Sequence, residues 1–242
     1  MTKHVHIKQA IQTAWASTKA NLGMLLVISA LYLGLVVASK LYLHGHGVLN
    51  ALSWVAQTLL LGVIILACLH ITRRDGAKLG GLAELPLGPL LVLKFLAVSL
   101  LTGAVALSGA FLLGLGMGFF HLSNEELLAY AQSSPQAALL TLAVLGLILA
   151  PGLVLGLRYS FAPAFVLEEH CGIWASLGHS ANLSQGVLGR LFLLLLALVG
   201  VFLLGLLCLG VGAVPAFVVT QLAWAWTYVD LHKQVYGEHA AP

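Results

Sequence analysis

Residues 136–157 read QAALLTLAVLGLILAPGLVLGL, a run without a single charged side chain. Each residue of a helix rises about 1.5 Å, so roughly 20 apolar residues cross the hydrocarbon of a bilayer. This run is long enough, and five further stretches share its character: 22–43, 51–71, 90–120, 189–209 and 213–230. Composition agrees. Of the 242 residues 60% are hydrophobic and 8% charged, where soluble domains carry about a quarter charged. The sequence therefore predicts an all-α polytopic membrane helix bundle with six transmembrane helices, a single integral membrane domain over residues 1–242. The third stretch is long enough to tilt or break, and Gly114, Gly116 and Gly118 loosen its far end. Pro151 and Pro163 each lack a backbone donor and so bend or stop the fourth, which can run on past Arg158.

Lys and Arg sort by side. Lys3, Lys8 and Lys19 precede the first stretch, Arg73, Arg74 and Lys78 follow the second, Arg158 and Arg190 bracket the fourth connection, and Lys233 lies near the chain end. Lys40 alone belongs to an outer connection, and the loop around Glu125 and Glu126 is acidic. Positive charge is retained on the cytoplasmic side, which predicts both termini in the cytoplasm and an even number of spans. Trp15, Tyr159, Trp174, Trp224, Trp226 and Tyr228 collect at the inner boundary and Tyr42, Trp54 and Tyr130 at the outer one, as anchoring rings do. A net charge of +3 gives no reason to expect nucleic acid. Cys68, Cys171 and Cys208 are widely spaced and form no CxxC pair, so they read as small hydrophobes. No cleaved leader is expected, because residues of mixed polarity precede the first apolar run.

Before the first span, residues 1–21 hold an interfacial helix with Ile7, Ile11, Ala14, Trp15, Thr18 and Leu22 at helical spacing. Before the fifth, the segment 168–188 repeats the design on the cytoplasmic side. Ile173, Leu177, Ser184, Leu188 and Gly189 match Ile7, Ile11, Thr18, Leu22 and Gly23 at one constant offset. Either a repeat of helical hairpins or a chance likeness of two amphipathic helices accounts for this. The stretch 79–89 is a candidate for a degenerate third copy.

Three segments, AIQTAWASTKANLGMLL (10–26), PGLVLGLRYSFAPAFVLEE (151–169) and SLGHSANLSQGVLGRLFLLL (176–195), resemble a family of bacterial six-helix membrane proteins. That family includes the membrane domain attached to some glycerophosphodiester phosphodiesterases. The resemblance implies a six-helix fold in the bacterial inner membrane and brings no activity with it, because the phosphodiesterase chemistry belongs to a separate soluble domain. The chain departs from the family at the second surface helix, which has His179 and few of the usual basic residues.

Small residues at four-residue spacing mark helix-packing seams: Ala30, Gly34 and Ala38; Ala106, Ala110, Gly114 and Gly118; Gly152 and Gly156. They are expected to pack helices of the same bundle. Ionisable groups at membrane depth tend to pair, so Arg158 is expected to meet Glu168, Glu169 or Asp230 in a cytoplasmic-side polar cluster, the alternative being that it snorkels to headgroups. His44 and His46 form an HxH pair, as do His4 and His6, but a stable metal site wants three or four ligands and no metal is expected. His70 and His121 sit at span ends, where a haem or pigment ligand is the sharper reading and a hydrogen-bonded interfacial histidine the plainer one. No carboxylate stands at a span centre, against an ion-coupled pump. Phosphate-loop, GxSxG and HExxH patterns are missing too, and no enzyme is expected.

These features predict a non-enzymatic accessory or scaffold subunit of a larger membrane assembly. Its partners would be the lipid bilayer and other membrane protein subunits, without a cofactor. A transporter or lipid-handling protein, acting on a lipid or hydrophobic small molecule, is the alternative, and a haem- or pigment-binding subunit the second alternative.

Overall fold

A computed structural model describes residues 3–42, 47–74, 88–108, 110–111, 124–207 and 212–237. Those residues form an all-helical bundle of α1 (Ile7–Ala20), α2 (Leu22–Tyr42), α3 (Gly47–Arg73), α4 (Pro89–Ala106), α5 (Asn124–Ser133), α6 (Pro135–Tyr159), α7 (Ala162–Glu169), α8 (Ile173–Ser184), α9 (Leu188–Leu207) and α10 (Ala213–Tyr236). They fall into two compact units, residues 1–99 with 161–242 and residues 100–160, the boundaries lying within α4 and between α6 and α7.

Five stretches among the described residues are long and apolar enough to cross a membrane: Gly23–Tyr42, Val48–Arg73, Pro89–Ala106, Pro135–Glu169 and Leu188–Leu207. Their outward surfaces carry Leu31, Leu41, Leu139, Leu147, Leu203 and Leu207, all more than half exposed. Apolar surface on this scale is stable only against lipid, and a helix is the element that satisfies its own backbone there. The predicted sixth span corresponds to α10, which is less apolar. It packs against α1, α2, α3 and α9 and buries Leu222, Tyr228, Leu231 and His232. A helix sheathed in protein can carry Thr, Tyr, His and Asp that a lipid-facing helix cannot.

Local signals explain the breaks. Ser134, extended at φ −162°, accepts a hydrogen bond from the Ala137 amide at 3.1 Å and caps α6, with Pro135 in the first turn where its missing donor costs nothing. Pro151 lies inside α6, and the helix continues through it to Tyr159. Pro163 stands in the first turn of α7, so the apolar run continues past Arg158 as a second helix. The segment around Glu125 and Glu126, expected to be a connection, contains a helix, α5.

The likeness extends beyond the helices that begin at Ile7 and Ile173. The helices α1, α2 and α3 begin at Ile7, Leu22 and Gly47, and α8, α9 and α10 each begin 166 residues later, at Ile173, Leu188 and Ala213. Ala10 and Ser176, Ala14 and Ser180, Thr18 and Ser184, Leu25 and Leu191, and Ile28 and Leu194 are buried in both copies. The Thr18 hydroxyl donates to the Ala14 carbonyl at 2.7 Å, and its counterpart Ser184 donates to Ser180 at 3.0 Å. Surroundings differ, however: α1 lies along α10, whereas α8 packs on α7. The suggested third copy lies mostly outside the described residues.

On α1 the buried face is Ala10, Ala14, Ser17 and Thr18, while Trp15 is half exposed under the Lys19 ammonium, 5.4 Å from its ring. Small side chains let α1 approach α10 closely, which leaves Trp15 on the open side of the helix. Among the described residues the small side chains of α2 are mostly open. Ala30 and Gly34 are exposed, Ala38 is partly so, and a Cβ on Gly34 would meet nothing within 4 Å. Gly152 and Gly156 do pack, the former buried and the latter with its Cβ position 3.1 Å from the Ala106 Cβ. Ala110 is exposed, and Gly114 and Gly118 lie outside the described residues.

Candidate functional site

The last turn of α7 carries two consecutive carboxylates. Neighbouring residues on a helix point about 100° apart, so Glu168 and Glu169 address different helices. Glu168 Oε1 accepts from Arg73 Nε at 2.5 Å, with the side chains 18% and 22% exposed, which ties α7 to the end of α3. Glu169 Oε1 lies 2.7 Å from His232 Nε2 on α10, whose side chain is 2% exposed. Because α3 and α10 are the corresponding helices of the two copies, α7 clasps both.

Rings fill the space between. Phe165 is fully buried and packs edge-on to Tyr228 at 5.1 Å, stacks on His179 at 5.4 Å and lies 5.8 Å from His232. His179 Nδ1 is 3.0 Å from the Tyr236 hydroxyl, bringing α8 into the same cluster. Nearby, Asp230 accepts from Gln234 Nε2 at 2.9 Å, and Gln234 exchanges two bonds with the backbone of His4. The amino-terminal residues are strapped down further, with Lys3 Nζ donating to Asn182 O at 2.5 Å and Arg190 lying 2.6 Å from His4 Nδ1.

Beside the Arg73–Glu168 pair is a cavity of about 160 Å³. Its walls are Leu66, Leu69 and Leu167, and its rim is His70, Arg73, Glu168 and His170. His170 closes α7 in the left-handed region at φ 53°, uncommon for a residue with a Cβ, and its carbonyl accepts from Lys94 Nζ at 3.2 Å. Glu168 Oε2 is buried without a hydrogen-bond partner, as is the Tyr228 hydroxyl. The two interact with each other, the Tyr228 hydroxyl being the donor available to the carboxylate. Buried acceptors of this kind are rare in native proteins.

Of the predicted cluster, Glu168 and Glu169 are at the site, with Arg73 and His232 as partners, and Asp230 lies one helical turn from Gln234 on α10. Arg158 lies on the last turn of α6, in the unit of residues 100–160. His70 belongs to the cavity rim, whereas His44, His46 and His121 lie outside the described residues. Among the described residues no three His, Cys, Asp or Glu side chains come together as a metal site. Lys94, His232 and the pairing role of Arg73 are not among the residues singled out by sequence. Lys94 is a lone cation in an apolar run, a signal that was legible, but His232 has no neighbouring pattern that singles it out.

Comparison with protein families, with curated proteins and with solved structures returns no match. Fold and surface define a multi-pass α-helical membrane protein.

Proposed function

We propose that this is a non-enzymatic lipid-handling protein of the bacterial inner membrane, with six spans and both termini in the cytoplasm. In this reading α10 is the sixth span and the chain is a member of the six-helix family that it resembles. The observation that carries the proposal is the leucine-walled cavity with an ionic rim, where α3 ends at Arg73 and Arg74 follows. Cationic residues at that end mark the cytoplasmic boundary, the depth of phospholipid headgroups. An apolar wall beside converging charged groups suits an amphiphile. Purification in mild detergent followed by native mass spectrometry tests it. The expected result is phospholipid retained by the intact chain and lost on Arg73→Ala. A chain that releases all lipid as readily as its variant would refute lipid handling.

A second reading, an accessory or scaffold subunit, is favoured by the outward-facing Ala30 and Gly34 on α2. These would admit a neighbouring helix to close approach. A stoichiometric protein subunit lost on Gly34→Leu, with lipid retention unchanged, would put that reading first.

A further inference from the structure

We infer that the open face of α1 is a docking surface for anionic phospholipid, which holds this helix flat in the headgroup layer of the membrane that its own chain spans. The inference stands apart from the cavity beside Arg73 and does not rest on the lipid-handling reading. Lys8, Gln12, Trp15 and Lys19 follow one another at intervals of four, three and four residues, so they form one stripe along α1. All four are exposed, while Ala10, Ala14 and Ser17 on the opposite side are buried. The helix packs chiefly against α10, which leaves the stripe uncovered by protein.

Position supplies the partner. α1 ends at Ala20, and the first membrane-spanning stretch begins at Gly23. Four residues of helix rise about 6 Å, so Lys19 lies within headgroup reach of the hydrocarbon whichever way α1 runs. Lys8 is about 17 Å further along the axis and reaches headgroups only if α1 lies flat. Charge supplies the selectivity. The sequence holds no Asp or Glu before Asp75, and among the described residues neither Lys8 nor Lys19 is paired with a carboxylate. Asp230, across on α10, is engaged by Gln234 and by the charges of His6 and Lys233. Trp15 is half exposed beneath the Lys19 ammonium, 5.4 Å from its ring centroid, so an indole suited to the interface stands between the two lysines. An anionic leaflet attracts each lysine, and a zwitterionic one has no net charge with which to do so. The second copy lacks the device, because the positions 166 residues on are Trp174, Gly178, Ala181 and Gln185.

The test is competition between phosphatidylglycerol and phosphatidylcholine of the same acyl chains for the full chain in nanodiscs, with native mass spectrometry of the bound lipid. Lys8→Gln and Lys19→Gln are each expected to weaken the preference for phosphatidylglycerol about fivefold at low salt, and high salt should erase the difference. Lys40→Gln, at the far end of α2 and equally exposed, is the control and should change nothing. A wild-type chain without preference for phosphatidylglycerol overturns the docking with no variant needed. A loss in Lys40→Gln as large as in Lys8→Gln overturns its location, and a loss in Lys19→Gln without one in Lys8→Gln overturns the flat helix. Lipid retention in Arg73→Ala reports on the cavity separately, so either reading can fail without the other.

Discussion

Replacing Arg73 by Met keeps the aliphatic stem and removes the guanidinium, leaving the Glu168 charge in a low-dielectric setting without its cation. Removing one partner of a fully buried ion pair costs about 3–5 kcal/mol. Here the side chains are 22% and 18% exposed, so about four fifths of the penalty applies, roughly 2–4 kcal/mol. Neutralising both partners removes the stranded charge. The double variant Arg73→Met/Glu168→Gln should therefore be more stable than Arg73→Met alone, with a coupling energy of about 1–3 kcal/mol. The assay is unfolding by increasing mole fraction of SDS in mixed micelles, followed by tryptophan fluorescence and circular dichroism. An Arg73→Met chain within about 0.5 kcal/mol of wild type, or strict additivity in the double variant, would show that the pair is solvated and that α7 is not held through it.

Two glycines are expected to be intolerant for different reasons. In Gly62→Ala the new methyl would sit 2.7 Å from Cε1 of the buried Phe95 ring, which should cost about 1–3 kcal/mol and be relieved by Phe95→Leu in the same SDS titration. In Gly205→Ala it would meet the Gly212 carbonyl oxygen at 2.5 Å, a backbone group that cannot rotate away, and no side-chain substitution should rescue it. Cys171 donates to the Phe165 carbonyl at 3.5 Å, and burial, followed by the charge of Glu169, raises its thiol above the ordinary value. The thiolate is the reacting species, so maleimide labelling in a Cys68→Ala/Cys208→Ala background should be slower than for free cysteine at pH 8 and quicken in Glu169→Gln. Equal rates in the two chains would remove Glu169 as a cause.

The membrane character was legible because it depends on chain-local quantities. Runs such as 136–157 are long and uncharged, and no arrangement of neighbours changes what they require of a solvent. Likewise Pro135 and Ser134 mark where α6 begins, because capping is settled within one turn. The glutamates at 168 and 169 stood out for their rarity beside apolar runs. Their partners did not. Arg73 is 95 residues from Glu168 and His232 is 63 from Glu169, separations over which only packing decides who meets whom. Arg158, ten positions away, was the natural choice by proximity in the chain. The repeat shows the same division. A short match of Ile7 and Ile11 with Ile173 and Leu177 hinted at it, whereas the coincident starts of three helices became visible once α3 and α10 had boundaries.

Solvent preference and helix ends thus followed from the sequence by itself, being sums over adjacent residues. Tertiary structure decided which helix lies inside the bundle, why Ala30 and Gly34 face outward, and that Arg73, Glu168 and three leucines share a cavity. Those outcomes depend on the close approach of surfaces distant in the chain, where the size of one side chain sets the place of another.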